Sequence, residues 1–355
     1  MFDVLLLPVL VACAVSVAAT RLAIALAVRL RFLDRPGSEA HKLQARAVPY
    51  GGGAAMAIAL AAGLAAAAWL PALGSGPNHL AGDAGAVDHG SLLPVCLGAL
   101  ALFVVGLIDD LRPLSARVKL AAQALAAAVV VPLADLGIDT FQHQPVLYYG
   151  VAWAWLVLVT NAYNLLDHAD GLCGSVAMVS LLAIFSGAVL SGDVELARLV
   201  LVMVGTIAGF LLWNLPPARI YMGDAGSLPL GFLVGCGTLS VTFWPSGESG
   251  SQLAVLTPLL LTALPLFDTA TVVIKRLRRR MPIMKGDRNH ISHRLGRLGL
   301  TPRRSLLTAV ALQLALAAGA LQLRNDDLLS GVVVLAQSAA IFVAVVFLET
   351  ARDHD

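Results

Sequence analysis

The chain has 355 residues, 58% of them hydrophobic and 13% charged, with a net charge of +2. A soluble domain carries roughly 25% charged residues, and here the apolar excess falls in long blocks, which excludes an ordinary soluble fold and predicts an integral membrane protein. Four scattered cysteines, Cys13, Cys96, Cys173 and Cys236, form no CxxC pair, so neither a disulfide framework nor a zinc site is indicated.

Eleven spans are predicted in chain order, at 4–29, 51–72, 91–108, 118–136, 147–166, 174–191, 197–214, 226–243, 252–274, 304–322 and 329–348. Each is near the ~20 residues that a bilayer requires. The expected fold class is therefore all-α, a single polytopic membrane domain over 1–355. The first span lacks a positive n-region and carries Arg29 and Arg31 at its far end, so it reads as a retained anchor with the N-terminus outside. With alternating spans, 21 of the 24 Lys and Arg residues fall on one side, the side of the C-terminus. The positive-inside rule makes that side cytoplasmic. The Gly-rich loop 74–90 lacks Lys and Arg and reads as an outer connector.

Between the spans, polar residues collect on the basic side in five stretches. The first loop is "DRPGSEAHKLQARAVPYGGG", 34–53. The end of the third span and start of the fourth read "GLIDDLRPLSARVKLAAQ", 106–123. Asp109 and Asp110 are adjacent, so on a helix their side chains diverge by ~100°. One is then free to face a substrate while the other pairs with Arg112, Arg117 or Lys119. "NAYNLLDHADGLCGS", 161–175, follows an uncharged run and sets Asn161, Asn164, Asp167 and Asp170 three apart. Such a ladder turns away from itself unless the helix unwinds near Gly171. A helix cap accounts for one of these residues but not for two Asn and two Asp, and carboxylates at a bilayer are rarely idle.

"NLPPARIYMGDAGSLPLG", 214–231, places Asp224 between Gly223 and Gly226, which permit close approach of backbone to a ligand, and offers Ser227 as a cap for the next span. Mg²⁺ takes one or two carboxylates plus substrate phosphate oxygens, and Asp224 with Asp167 supplies such a pair. "FDTATVVIKRLRRRMPIMKGDRNHISHRL", 267–295, combines a basic flank with Asp287, Arg288, His290 and His293, a set suited to phosphate groups.

These five stretches, in this order, resemble the polyprenyl-phosphate N-acetylhexosamine-1-phosphate transferases, which include the enzymes that start O-antigen and teichoic acid linkage units and the translocase that forms lipid I. The resemblance implies transfer of a sugar 1-phosphate from a UDP-sugar to undecaprenyl phosphate, with release of UMP. It implies Mg²⁺, with Mn²⁺ as an alternative, a bacterial inner-membrane location and no nucleic-acid partner, and is compatible with a homodimer. It assigns Asp109, Asp110, Asp167, Lys119 and His290 to catalysis. Lys42, Asn164, Asp170, Asn214, His293 and Arg294 are assigned to substrate binding, and Asp224 with Asp167 to the metal. Two positions depart from the family frames. "DHADGL" has His168 where many members have Gly in "DGLDGL", and "HISH" has Ser292 where "HIHH" has His. The pattern "HISHRL" is nearer to "HIHHRL" of the GlcNAc-1-phosphate enzymes than to the three-His run of the lipid I enzyme. This points to UDP-GlcNAc or a close HexNAc relative rather than to the muramoyl-pentapeptide nucleotide, with His290, Ser292, His293 and Arg294 as the candidates for sugar selection. A transporter remains the alternative from another class, but it places carboxylates near the midplane, whereas these sit at span ends.

Overall fold

The computed structural model describes residues 2–34, 47–73, 92–138, 141, 143–242, 252–282, 290–323 and 328–351. Helices α1 (Phe2–Leu30), α2 (Gly52–Leu73), α3 (Leu92–Leu111), α4 (Ala116–Leu133), α5 (Pro145–Leu166), α6 (Leu172–Ser191), α7 (Val194–Asn214) and α8 (Asp224–Thr242) come first. They are followed by a 3₁₀ turn at Gln252–Leu256 and by α9 (Thr257–Leu261), α10 (Ala263–Arg278), α11 (Ile291–Arg297), α12 (Pro302–Gln322) and α13 (Leu328–Ala351). Strands β1 (Leu33–Asp34) and β2 (Val48–Pro49) pair antiparallel across the first loop.

Among the described residues, ten helices are long and apolar enough to cross a membrane, or eleven segments if the bent pair Leu253–Leu261 and Ala263–Arg278 counts as one span. Local sequence sets several of the ends. Ser115 accepts the Val118 N–H and caps α4, Asp193 accepts the Leu196 N–H and caps α7, and Thr301 accepts the Arg304 N–H before Pro302 opens α12. Each side-chain oxygen satisfies an orphan amide of the first turn.

The ninth span differs from the continuous helix that its composition predicts. Leu253–Leu261 and Ala263–Arg278 meet at 73°. Pro265 explains the break: it has no N–H for the Leu261 carbonyl, and its ring crowds that carbonyl. Gln313 of α12, fully buried, repairs the gap. Its amide donates to the Leu261 carbonyl at 2.7 Å and its oxygen accepts the Leu264 N–H at 3.2 Å.

Helix α8 is the centre of the bundle, with 78% of its spanning window buried, against 17% for α1 at the rim. It packs on α3, α5 and α6, while α1 packs on α2 and α7. Gly106 lets α3 approach α8: a Cβ there would collide with the backbone of Asp224 and Ala225. This contact fixes the end of α3 against the start of α8.

Candidate active site

The first four polar stretches meet at one end of the bundle. The amides of Gly52 and Gly53 donate to the carbonyls of Tyr221 and Met222 at 3.0 and 2.9 Å, which ties "VPYGGG" to "YMGD". Gly223 takes φ +68°, a conformation that glycine adopts without a Cβ penalty, and so turns the chain into α8.

Asp109 and Asp110 take different partners. Asp110 accepts the N–H groups of Asp224 and Ala225 at 2.9 and 3.2 Å. It thereby caps the start of α8 from another helix. Asp109 accepts the Leu114 N–H at 2.7 Å and pairs with Lys119 at 3.2 Å. Lys119 also pairs with Asp224 at 2.7 Å. Asn164 donates to Asp224 Oδ1 and to Ser227 Oγ, both at 2.9 Å. Ser227 is thus a buried acceptor inside the first turn of α8 rather than its cap.

Helix α5 ends at Leu166, and the chain turns through Gly171 at φ +69° into α6. Asp167 opens this turn and accepts the Gly223 N–H. Burial pushes its carboxyl well above the ordinary range, and the nearby charges of Asp224 and Asp110 add to the shift. Asp170 accepts the Ala218 N–H at 2.8 Å. Asn214 is buried, with its oxygen accepting the Gly171 N–H at 3.0 Å and its amide donating to the Ile220 carbonyl at 2.8 Å. Both of its amide atoms therefore fasten two site turns to each other. Lys42 and the segment 287–289 lie outside the described residues.

Carboxylate oxygens of Asp109, Asp110 and Asp224 lie within 4.8 Å of one another. This all-oxygen set fits a hard divalent cation, and the Lys119 ammonium, bridging Asp109 and Asp224, already places positive charge between two of them. Sequence reasoning pairs Asp224 with Asp167 as metal ligands. The structure also gathers Asp109 and Asp110 with Asp224, and Asp167 lies near enough to feel the charges of Asp224 and Asp110. An apolar cavity of about 200 Å³ adjoins this cluster between α2, α3, α7 and α8. Met56, Leu60, Phe103 and Met203 line it, with Ala225 and Gly226 at its edge directly after Asp224.

A second cluster joins the Asp167 turn to the fifth stretch. Asp268 of α10 is 1% exposed. One oxygen bonds His290 Nδ1 at 2.8 Å, and the other accepts the Ile291 N–H at 2.6 Å and pairs with Arg294 at 3.2 Å. Arg294 is itself fully buried and stacks over Phe267. The His168 ring lies 4.3 Å from that of His290 and 5.6 Å from that of His293. Burial and the neighbouring His290 push the His168 imidazole down to about 3, so the ring is neutral.

Sequence reasoning did not single out Asp268, which organises the histidine motif, and noted His168 only as a departure. A lone aspartate inside the apolar run "LPLFDTATVV" is the signal that points to the first.

The family model for glycosyl transferase family 4 matches residues 92–242. A relative from Bacillus subtilis, the "probable undecaprenyl-phosphate N-acetylglucosaminyl 1-phosphate transferase", is 28% identical over 91% of this chain and 84% of its own length. The decaprenyl-phosphate N-acetylglucosaminephosphotransferase of Mycolicibacterium smegmatis is 31% identical over 73% of this chain and 68% of its own length. The undecaprenyl-phosphate alpha-N-acetylglucosaminyl 1-phosphate transferase of Escherichia coli K12 is 30% identical over 64% of this chain and 65% of its own length.

Proposed function

Since this chain belongs to glycosyl transferase family 4, we propose that it transfers a HexNAc-1-phosphate, GlcNAc-1-phosphate foremost, from a UDP-sugar to undecaprenyl phosphate and releases UMP. The reaction is the first membrane step of a cell-envelope polysaccharide, run on the cytoplasmic side of the inner membrane. The observation that carries this reading is Lys119 held between Asp109 and Asp224 at 3.2 and 2.7 Å, beside an apolar cavity. A charged cluster next to an apolar space suits a substrate that is a phosphate on a hydrocarbon chain.

The chemistry joins two anions. An oxygen of the lipid phosphate attacks the β-phosphorus of the UDP-sugar in line, a new P–O bond forms, and the bond to the UMP oxygen breaks. A phosphomonoester has a second pKa near ~6 and is largely ionised at pH 7, so no strong general base is required. Positioning and electrostatics carry such a transfer. Asp224 with the neighbouring carboxylates would hold a divalent cation, Mg²⁺ by preference and Mn²⁺ as the alternative, which would supply charge neutralisation on the diphosphate. Lys119 offsets charge on the transferred phosphoryl group. Asn164 orients Asp224, and Asp110 orients the backbone that carries it. Asp109 holds Lys119 in place. His290 and His293, with Lys42 from the first loop, receive the nucleotide-sugar.

An exchange assay in membranes tests the reading. Labelled UDP-GlcNAc and UDP-MurNAc-pentapeptide are supplied in parallel with undecaprenyl phosphate, and labelled lipid and UMP are followed. Transfer from UDP-GlcNAc is expected. Preferential transfer of the pentapeptide donor would make this a lipid I enzyme, and transfer from no UDP-sugar would remove the proposed activity.

A further inference from the structure

One contact in the second cluster has no part in the transfer just described. His168 follows α5 and Ser292 lies in the first turn of α11, 124 positions later, yet His168 Nε2 and Ser292 Oγ are 2.7 Å apart. The other ring nitrogen decides what this contact is. His168 Nδ1 lies 3.0 Å from the Leu165 carbonyl oxygen, which can only accept, so Nδ1 carries the proton. Nε2 of the neutral ring is then an acceptor, and the Ser292 hydroxyl donates to it. A serine hydroxyl has one proton. With that proton committed to His168, the oxygen can only accept from anything else. Ser292 is half-buried, so a ligand can reach it. The ring itself is held by stacking on His290, which Asp268 fixes in turn.

The same two positions are those at which the sequence breaks the two motif frames. The imidazole missing at 292 stands at 168, and the two residues touch. Each departure taken alone looks like a loss; bonded together they are one altered feature.

We propose that His168 and Ser292 form a single positioning unit that reads a hydrogen-bond donor on the sugar of the nucleotide-sugar, an amide N–H or a ring hydroxyl, by presenting an oxygen that can only accept. The inference rests on the UDP-sugar reading above and adds which group selects the sugar. A site that must bond a donor discriminates against a sugar lacking it, because the buried oxygen is then left unpaired.

Steady-state kinetics in membranes test the unit, with UDP-sugar and undecaprenyl phosphate each varied. His168→Ala and Ser292→Ala are each expected to raise KM for UDP-GlcNAc about tenfold, the scale of one hydrogen bond, and to leave KM for the lipid unchanged. The double variant is expected to be no worse than the worse single one, because either change breaks the same unit. His168→Asn, which can still accept from the hydroxyl, is expected to recover part of the loss. The exchange His168→Gly with Ser292→His, which keeps one imidazole, is expected to exceed His168→Ala in kcat/KM.

Wild-type preference among UDP-GlcNAc, UDP-GalNAc and UDP-glucose is expected to narrow in Ser292→Ala. Narrowing against UDP-glucose assigns the amide N–H, and narrowing against UDP-GalNAc assigns a ring hydroxyl. Multiplying effects of the two changes, or equal rises in KM for both substrates, would overturn the unit while wild-type transfer leaves the function standing. Should His168→Ala fail to accumulate in the membrane, Ser292→Ala decides alone, since an unchanged KM for every UDP-sugar would overturn the proposal. Absence of transfer from any UDP-sugar in the wild type would remove the function itself.

Discussion

Asp109 and Asp110 share a sequence motif but not a task, and the difference is measurable. Asp110 receives two backbone N–H groups of α8, so Asp110→Asn sets an amide N–H against one of them and costs about 1–3 kcal/mol. The expected outcome is lower thermal stability in detergent together with lost transfer. Asp109→Asn releases one charge from Lys119 and is expected to lower kcat with a smaller stability change; equal melting losses in the two variants would contradict this division. Asp167 carries a different signature. Its carboxyl is raised by burial and by Asp224 and Asp110, so its contribution to stability is full below the unfolded carboxylate range and is lost as pH rises through its folded value. A bound divalent cation favours the carboxylate form, so its stabilisation grows over the same window. The rise in Tm on adding Mg²⁺ is therefore expected to be larger at pH 8 than at pH 5.5, and Asp167→Asn should flatten that difference; a pH-independent Mg²⁺ effect in the wild type would detach Asp167 from the cation. The carboxylates were legible from sequence because charge beside a long apolar run demands a reason. Which atom each one holds was not legible, because Asp110 acts on backbone 114 positions away and Asp268 on a histidine 22 positions away. No local pattern records such distances.

At the scale of elements, two features set the site's geometry, a helix break and a glycine. The break between α9 and α10 aims Asp268 at His290 and Arg294, and Gln313 holds its unpaired backbone atoms. Gln313→Met keeps the volume but takes the side-chain acceptor from the buried Leu264 N–H and one of two side-chain donors from the Leu261 carbonyl, at about 1–3 kcal/mol. Reduced thermal stability and reduced kcat are expected together; retention of both would show that the break is held elsewhere, with Ser180, which also donates to the Leu261 carbonyl, as the next candidate. Gly106→Ala has the opposite character. Its methyl group meets the backbone of Asp224 and pushes α3 from α8, so transfer is expected to fall by at least tenfold while the protein still reaches the membrane. Wild-type kcat in Gly106→Ala would show that the Asp109–Lys119–Asp224 set tolerates this shift. Span positions were readable because an apolar segment of about 20 residues has few other uses. The break was missed because hydropathy does not see backbone donors: Pro265 was visible, but nothing in a hydropathy profile states that Leu261 loses its partner there.

For the whole molecule, the structure turns orientation into one binary question. The ends of α3, α5 and α7 and the starts of α2, α4 and α8 are joined by hydrogen bonds at a single end of the bundle. All of their polar stretches therefore face one side of the membrane together, and no hybrid arrangement keeps the site intact. The choice between the two sides then rests on charge. If the spans alternate as the sequence predicts, 21 of 24 Lys and Arg residues share the site's side, and by the positive-inside rule we propose that this side is cytoplasmic, where UDP-sugars would have to be bound. Ser191, exposed at the end of α6, and Arg279, exposed at the end of α10, lie on opposite sides in this arrangement. The native cysteines are buried or half-buried within the spans and give a low background. In intact cells, an impermeant thiol reagent is expected to modify Ser191→Cys and to spare Arg279→Cys until the membrane is opened. The reverse pattern would place the carboxylate cluster outside, away from any nucleotide pool, and would overturn the orientation and the UDP-sugar reaction together, while leaving the helix bundle and its hydrogen bonds as they stand.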